Sequence, residues 1–523
     1  MKPPKYLPNT NKMKKVGYLF GLLLVLGACK TTKQLPTKVN KDEVTFKFIQ
    51  LNDVYEIAPL SGGKYGGMAR VAHVVDSVRA VEPNTFLVMA GDFLNPSLLG
   101  TVKVDGERLR GKQMIEVMNA MDFDLVTFGN HEFDLGVEDL QKRLNESTFE
   151  WTTANAYQVL EDGNSSFNKV VGADTIRIPE TKMLMVKDND SIVMRIGVFS
   201  VTIDSNPVDY VYYSDYQMEA QTAYTSLDIA GADVIFGLTH LEVEQDEALL
   251  DLLPNVPFIM GGHEHNNMLV HTKTGIVAKA DANAKTVYIH SFTFNKKTNN
   301  LKIDSHLMPL DEKTASKPTV KAIVDRWNSV LENKIKEVID DPNEVIYFAL
   351  TPLDGTDSAS RGVQTNLGEI ITHAMALSFD KEVEAAIVNG GSIRLDDILA
   401  DAVTSIDIFR VLPFGGNVVK VKMTGALLIK VLDFGKSKGG TGAYLQRYNL
   451  DESSTGGWLL EGNPIESSKT YTVAMSDFLM KGFDIPFLTS QNPGVLDVYE
   501  PKTSEAASDI RKAIILYLKS IKK

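Results

Sequence analysis

Five segments of the sequence each run from an apolar, strand-like stretch directly into a side chain that can bind a divalent metal. Asp, Asn and His supply the oxygen and nitrogen donors that such metals use in hydrolytic sites. Because strands of one sheet end at a common edge, residues far apart in the chain can meet there. The pattern predicts metal-assisted hydrolysis. The segments are IQLND at Asp53, LVMAGD at Asp92, VTFGNHEFD at Asn130 and His131, FGLTH at His240, and FIMGGHEH at His263 and His265.

The elements that would position these residues alternate between strands and helices. Strand-like runs such as VTFKFIQL, TFLVMAG and MRIGVFSV are separated by helical runs such as MARVAHVVDSVRAV and GKQMIEVMNAM. This alternation predicts a layered α/β sandwich domain over residues 43–315. Apolar residues at helical spacing then predict a linker helix over 316–340, where the breaker DDPN follows.

The strand and helix patterns of residues 341–523 predict a second, smaller α+β domain that binds the substrate. Its strand patterns are EAAIVNG, NVVKVKM and TYTVAM, and its helical patterns are TNLGEIITHAMALSF and SEAASDIRKAIILYLKS. The glycine-rich turns NGGSIR, PFGGN and GAY place backbone bends beside polar and aromatic side chains. Such turns favour a small-molecule pocket over a plain scaffold.

Length and charge restrict the possible functions. A chain of 523 residues is too long for one hydrophobic core, and 44% apolar with 23% charged residues is an ordinary globular composition. A formal net charge of −13 argues against binding a nucleic-acid polymer, which normally requires a broad basic surface. The expected partner is therefore a small molecule, and no oligomeric state is predicted.

The N-terminus has the pattern of an export signal. Lysines precede the apolar run 16–28, which is too short to span a bilayer comfortably and ends in LGAC. Small residues before the only cysteine, Cys29, resemble the lipobox of a bacterial lipoprotein, whereas the alternative is an ordinary secretory peptide with an incidental cysteine. We expect a lipoprotein signal peptide over 1–29 and a flexible tether over 30–42. The predicted location is the bacterial cell envelope, periplasmic or surface-facing, with membrane contact only through the N-terminal lipid.

Together these motifs resemble the bacterial and animal 5′-nucleotidases, including the periplasmic UDP-sugar hydrolases, over most of residues 43–500. GNHEFD followed by GGHEH is typical of the calcineurin-like metallophosphoesterase fold, and NGGSIR and PFGG are similar to the nucleotidase members. The resemblance implies a pair of divalent ions that polarise a phosphoryl group and activate a water. It makes Asp92 the bridging ligand, with Asn130, His240 and His263 on one ion and Asp53 and His265 on the other.

One ligand position departs from the family pattern. Family members have Asp-x-His at the first strand end, whereas this chain has Asp53, Val54 and Tyr55. Two interpretations follow: a weaker, exchangeable ion at this site, or coordination by Tyr55 as a phenolate, which requires loss of a proton with an ordinary pKa of about 10. A donor set without thiolate is compatible with zinc, manganese, iron, cobalt or, less well, magnesium, and we expect zinc or manganese.

The resemblance also implies a catalytic dyad of His131 and Asp134. In this pair the carboxylate orients the imidazole, which stabilises charge on the phosphate and the leaving oxygen. The alternative is that His131 only holds its loop. Glu132, between the two residues, is interpreted as structural.

The second domain carries the residues that the resemblance assigns to the substrate. Phe414 and Phe478 match two aromatic residues that stack on both faces of the base, an arrangement that tolerates a broad range of bases. Phe483 replaces a glycine that is usual in its loop, so a narrower pocket or an added contact is expected. Arg361 and Arg394 match arginines near the phosphate and ribose, and Asn389 and Asp484 match groups that bind base and ribose.

The predicted function is metal-dependent hydrolysis of nucleotide phosphate esters, of the 5′-nucleotidase type, outside the cytoplasm. Nucleoside and phosphate are the expected products, and the linker helix with its adjoining loops is expected to permit a domain rotation. The alternatives among enzymes are a 2′,3′-cyclic nucleotide phosphodiesterase with 3′-nucleotidase activity and a UDP-sugar or dinucleotide hydrolase. The alternative from another class is a nucleotide-binding lipoprotein whose catalysis has decayed, for which Tyr55 is the best indication.

Overall fold

The computed structural model describes residues 42–522 apart from 189–190, 206, 381 and 455. The predicted signal peptide with Cys29, and the predicted tether up to residue 41, lie outside the described residues. Within the described part of the chain, no helix is both long enough and apolar enough to cross a membrane.

The first unit is built on two six-stranded sheets. In the first sheet the strand Glu43–Leu51 pairs in parallel with Thr85–Ala90 and antiparallel with Thr286–Asn295. The spatial order of the first sheet is Asn300–Pro309, Thr286–Asn295, Glu43–Leu51, Thr85–Ala90, Leu125–Thr127 and Glu150–Thr152. The order of the second is Thr181–Asp188, Ser191–Phe199, Val234–Thr239, Phe258–Gly261, Ile276–Lys279 and Met268–His271.

Side-chain alternation along the strands explains how the sheets pack. Phe46 belongs to the core between the two sheets, whereas Ile49 and Leu51 of the same strand belong to the core under the helices. Phe46 stacks on Phe292 of the neighbouring strand with ring centroids 5.0 Å apart, and Phe236 of the opposite sheet lies 4.9 Å from Phe292. Because each buried aromatic ring removes roughly 150–250 Å² from water, these contacts bind the sheets firmly together.

Helices cover the outer faces of both sheets. Leu249 and Leu250 of one helix pack with Ile259 of the second sheet. Val71 and Met114, on two other helices, lie in the hydrophobic core that includes residues of the first sheet. The layers confirm the predicted α/β sandwich. The helices of this unit are Met68–Arg79, Leu98–Thr101, Lys112–Ala120 and Val137–Glu146, followed by Tyr216–Ile229 and Val243–Leu252.

The helix Pro318–Ile335 lies within the segment 316–340 that was predicted as a linker. Proline at its first turn suits a helix start, since that position needs no N–H donor. Trp327 Nε1 donates to Glu116 Oε2 at 3.0 Å, which fixes the helix on the first unit. One stripe of this helix is buried and consists of Val320, Val324, Trp327, Leu331 and Ile335.

The second unit contains a five-stranded sheet that is covered on both faces. Ile387 and Val421 pack against the helix Gly425–Ser437, whereas Val388 lies in the core that includes the helices Asn366–Leu377 and Ile510–Ile521. The mixed pairing confirms an α+β domain. The spatial order of the sheet is Leu445–Tyr448, Ala385–Asn389, Thr470–Ser476, Val418–Thr424 and Val495–Tyr499.

The last helix begins later than the sequence pattern SEAASDIRK predicts. A short 3₁₀ turn at Ala506–Ser508 is followed by Asp509 in an extended conformation, with φ at −150°. The Asp509 carboxylate accepts a hydrogen bond from the Arg511 backbone N–H at 2.8 Å, so the α-helix starts at Ile510. The prediction missed this cap because the residues before it also have helix-compatible spacing.

The remaining elements are short ribbons and helices at the periphery. The strand Val345–Asp354 pairs antiparallel with Ile398–Thr404 beside the cleft between the two units. The other strands are Lys103–Val104, Glu107–Arg108, Ala156–Leu160, Gly163–Ser165, Asn168–Val171, Asp174–Arg177, Val211–Tyr213, Leu450–Glu452, Trp458–Leu460 and Asn463–Pro464. The other helices are Asp357–Gly362 and Ser405–Val411.

Candidate metal centre and substrate cleft

The strand-end residues of the first unit meet at one edge of the two sheets. His240 Nε2 lies 3.1 Å from Asp92 Oδ2 and 3.1 Å from Asn130 Oδ1. His265 Nε2 lies 3.4 Å from Asp53 Oδ1, and the rings of His240 and His263 have centroids 5.4 Å apart. Seven ligands were predicted, and the structure brings six of them together. The seventh, Tyr55, lies beside these six. The six are Asp53, Asp92, Asn130, His240, His263 and His265.

The ligand loops have a strained backbone, and the close approach of neighbouring loops explains why they contain glycine. Asp53, Asp92 and His263 all have left-handed φ angles, of 54°, 55° and 86°. A Cβ on Gly129 would lie 2.1 Å from Asp92 Oδ1, and one on Gly262 would lie 2.1 Å from the Ala90 carbonyl oxygen. Non-glycine residues adopt such angles only where the surroundings hold them, and functional sites commonly do so.

A buried carboxylate oxygen without a donor indicates a cation site. Asp53 is fully buried, and its Oδ1 has no hydrogen-bond partner among the described residues. The imidazole Nε2 atoms of His265 and His240 lie 3.4 Å and 4.0 Å from this oxygen. Asp53, Asp92 and His240 each offer one ligand atom, and these atoms lie within 4.8 Å of one another. Because a buried carboxylate oxygen without a partner is costly, this donor set fits a divalent metal.

The electrostatics of the site also favour a cation. Burial lowers the pKa of His240, but Asp92 and Asp53 raise it, to about 9 overall. Burial also lowers the pKa of His131, but nearby carboxylates, of which Asp92 has the largest effect, raise it to about 10 overall. His263 differs, because burial and the neighbouring His240 lower its pKa to about 4. The carboxylates therefore produce a negative potential that a bound metal would neutralise.

Tyr55 lies within hydrogen-bonding distance of two of the predicted ligands. Burial first, and then the charge of Asp92, raise the pKa of Tyr55 well above its usual value. Its hydroxyl lies 3.4 Å from Asp92 Oδ2 and 3.1 Å from His265 Nε2. The hydroxyl is therefore placed to hydrogen-bond two of the predicted ligands.

His131 and Asp134 lie beside the ligands in the geometry that the predicted dyad requires. His131 Nδ1 is 2.9 Å from Asp134 Oδ2. The same oxygen accepts hydrogen bonds from Asn95 Nδ2 at 2.7 Å and from Arg394 Nη2 of the second unit at 2.9 Å. These bonds hold the carboxylate, and the carboxylate in turn fixes the orientation of the imidazole.

Glu132 has a structural position. Its carboxylate accepts backbone N–H bonds from Asp92, Phe93 and Leu94, at 2.8, 2.7 and 3.0 Å, and from Gly129 at 2.7 Å. Burial and the charge of Asp92 raise the pKa of Glu132 to about 7. The side chain ties the loop of Asp92 to the loop of Asn130 and does not enter the cavity above the ligands.

A cavity of about 390 Å³ lies between the ligands and the second unit. Arg361 and Arg394 line it, but in this structure each arginine pairs with a carboxylate of the protein. Arg361 Nη2 lies 2.6 Å from Asp357 Oδ2, and Arg394 Nη2 lies 2.9 Å from Asp134 Oδ2. The two cationic side chains thus face the space where an anionic group would approach the ligands.

The other predicted substrate residues lie outside this cavity. Asn389 Nδ2 donates to Asp484 Oδ2 at 2.6 Å. Phe414 is 57% exposed, and Phe478, 37% exposed, packs on Phe483 with ring centroids 5.2 Å apart. The loops that carry Phe414 and Phe478 are adjacent, since the Asp477 N–H donates to the Asn417 carbonyl at 3.0 Å. Two aromatic surfaces are therefore exposed to solvent on neighbouring loops.

Asp396 is a residue of the site that the sequence reasoning missed. Its Oδ2 lies 3.4 Å from His265 Nε2 and 3.9 Å from His131 Nε2, and its backbone carbonyl accepts a hydrogen bond from His265 Nδ1. Burial raises the pKa of Asp396, but His265 and His131 outweigh this effect and lower it. The only signal in the sequence was an acidic residue shortly after the arginine of NGGSIR.

Family models match both units. The model described as calcineurin-like phosphoesterase matches residues 46–267, and the model described as 5′-nucleotidase, C-terminal domain, matches residues 345–489. The human 5′-nucleotidase is 26% identical over 473 residues, covering 80% of this chain and 78% of that protein. The trifunctional nucleotide phosphoesterase protein YfkN of Bacillus subtilis is 25% identical and covers 80% of this chain and 31% of that protein.

Solved structures show the same fold. A 5′-nucleotidase precursor from Thermus thermophilus superposes with a TM-score of 0.63 at 22% identity, covering 92% of this chain and 97% of that chain. The fold and the donor set define a two-domain metal-dependent phosphohydrolase. The chain belongs to the 5′-nucleotidase family of calcineurin-like phosphoesterases.

Replacing Asp53 with Asn tests the metal centre directly. Asn keeps the shape and removes the charge of the unsatisfied oxygen, so we expect metal affinity to fall more than the roughly 10–100-fold that loss of an outer contact causes. Metal content and titration of the metal-stripped protein measure the effect. Asp304→Asn, in an exposed position of the strand Asn300–Pro309, is the matched control. Equal affinities in Asp53→Asn and the control would contradict the assignment.

Proposed function

We propose that this protein hydrolyses phosphate esters of nucleotides to nucleoside and phosphate, with AMP-like 5′-monophosphates as the first substrates to test. The observation that carries the proposal is the convergence of six ligand-type side chains beneath a cavity that two arginines of the second unit also line. Membership of the 5′-nucleotidase family supports this choice of ester.

In this proposal two divalent ions, zinc or manganese, occupy the centre. When bound, they would stabilise charge on the phosphoryl oxygens and supply an activated water. His263, whose pKa burial and His240 keep low, is neutral and ready to act as a ligand. The side chains that would hold the ions are Asp53, Asp92, Asn130, His240, His263 and His265.

The remaining polar groups of the cavity bind and orient the phosphate in this proposal. His131, held by Asp134, donates a hydrogen bond to a phosphoryl or leaving oxygen and so stabilises the charge that develops there. Arg361 and Arg394 exchange their present carboxylate partners for phosphate oxygens, because a guanidinium fork suits both groups.

The base and ribose are held by the second unit in this proposal. Phe414 and Phe478 supply stacking surfaces, and Asn389 and Asp484 supply polar contacts. Since these residues lie outside the cavity above the ligands, productive binding requires a rotation of the second unit towards the centre. Phe483 extends the surface of Phe478 and adds contact area for the substrate.

The decisive experiment is a phosphate-release panel with the full chain and several metals. We expect release from nucleoside monophosphates that chelation abolishes and metal restores, and Asp92→Ala should remove it, with Asp304→Ala as the control. Cyclic nucleotides, UDP-sugars and dinucleotides in the same panel distinguish the related activities. Tight AMP binding without metal-dependent release from any substrate would favour the decayed, nucleotide-binding alternative and refute the proposal.

Phe414→Ala tests base stacking. Loss of one stacking surface costs about 1–3 kcal/mol, so kcat/KM for AMP should fall about 5- to 150-fold. Ribose 5-phosphate has no base, and its hydrolysis should not change. Phe348→Ala replaces another half-exposed phenylalanine of the same unit, 50% exposed, and is the control variant. A parallel loss with both substrates would show that Phe414 acts on the fold and not on the base.

The proposed location is the bacterial cell envelope, periplasmic or surface-facing, with the protein anchored by a lipid on Cys29. The LGAC sequence at the end of the apolar run supports it. In bacterial cells grown with a labelled fatty acid, the wild-type chain should carry the label and Cys29→Ser should not. Absence of label from the wild-type protein would reject the anchor while leaving the catalytic proposal intact.

A further inference from the structure

We propose that Lys279 is a positioning residue that fixes the separation of the two loops carrying His240 and His263, and thereby sets the affinity of the centre for divalent metal. The inference rests on the metal centre of the proposed function but not on its substrate. Lys279 ends the strand Ile276–Lys279 and has no exposed surface. Because lysine is almost never fully buried without partners, its contacts indicate its role.

The ammonium group of Lys279 binds both loops at once. Nζ donates to the Leu241 carbonyl at 2.6 Å and to the Gly262 carbonyl at 2.8 Å. It also donates to the Glu264 carboxylate, so its three protons are all used. Leu241 directly follows His240, whereas Gly262 and Glu264 are the two neighbours of His263.

Asp246 extends the same network to the other side of His240. It lies on the helix Val243–Leu252, is fully buried, and has Oδ2 2.9 Å from Lys279 Nζ. Its Oδ1 accepts a hydrogen bond from Thr239 Oγ1 at 2.6 Å, and Thr239 directly precedes His240. The pair of Lys279 and Asp246 therefore contacts every sequence neighbour of the two histidines, namely Thr239, Leu241, Gly262 and Glu264.

The loops need this support because their backbone is strained and crowded. His263 has a φ of 86°, a left-handed conformation that is unfavourable for a residue with a side chain. A Cβ on Gly261 would lie 2.8 Å from Lys279 Cε and 2.9 Å from Asp246 Oδ2. The network thus packs directly against the backbone that presents His263, and a change in it would move the imidazole.

Lys279 acts on the metal through the loops and not by direct contact. It is absent from the described residues that line the cavity, whereas its partner Glu264 lines it. A cation near a metal centre would repel the metal. Here two carboxylates, Asp246 and Glu264, more than offset the one ammonium charge. Lys279 can therefore stay charged behind the centre without weakening it.

Lys279→Met removes the three donors and keeps the apolar length of the side chain. In the metal-stripped full chain titrated with Mn²⁺ or Zn²⁺, we expect affinity to fall about 10–100-fold. Arg143→Met is a matched control, since Arg143 is also a buried cation that donates to two carbonyls, Leu109 at 2.5 Å and Arg110 at 3.1 Å, and pairs with Glu146. The control should lower the unfolding temperature without changing metal affinity.

Unchanged metal affinity in Lys279→Met would overturn the inference, and so would an equal loss in Arg143→Met, because general destabilisation would then explain both. If Lys279→Met does not fold, Thr239→Val removes only the bond to Asp246. A lower metal affinity at an unchanged unfolding temperature would then support the inference, and an unchanged affinity would refute it. A wild-type protein that binds metal but releases no phosphate would reject the proposed function and leave the role of Lys279 standing.

Discussion

The burial of several carboxylates in a small volume is the constraint on which the rest of the structure depends. Asp53 and Asp92 are withdrawn from water, where an unpaired charge costs several kcal/mol. Backbone N–H groups satisfy part of the requirement, from His131 to Asp92 at 2.8 Å and from His263 to Asp53 at 3.0 Å. The neighbouring imidazoles can offset the remaining negative charge only when they are protonated. A divalent metal would neutralise that charge.

A rigid frame is needed to keep these groups so close, and the paired sheets provide it. The aromatic core around Phe236 and Phe292 fixes the two sheets against each other, so their strand ends cannot drift apart. Glycines at the ends let backbone and carboxylate approach, as at Gly129 and Gly262. Lys279 bonds the loops of His240 and His263, and Glu132 bonds the loops of Asp92 and Asn130.

The sequence could predict which side chains converge at the sheet edge because its signals are local. An apolar run that ends in Asp or His identifies both the strand and the candidate ligand. The sheet topology then brings such strand ends to one edge, as for Asp92 and His240. Lys279 has no such signal, since one lysine at the end of a strand is usually exposed. Asp396 and the stacking of Phe478 on Phe483 depend on how distant loops meet, which spacing along the chain does not encode.

The charged residues that meet at the cleft have different positions in the two units. Every proposed ligand belongs to the first unit, whereas the segment from Arg394 to Asp401 crosses the cleft to reach Asp134, Lys285 and Lys64. The pair of Lys64 and Asp401 is largely exposed, with side chains 46% and 61% accessible, and such pairs contribute only about 0–1 kcal/mol. The pairs Arg394–Asp134 and Lys285–Asp397 are largely buried, so the proposed rotation of the second unit would have to exchange these two contacts for others, whereas the proposed ligands, all in the first unit, could keep their geometry.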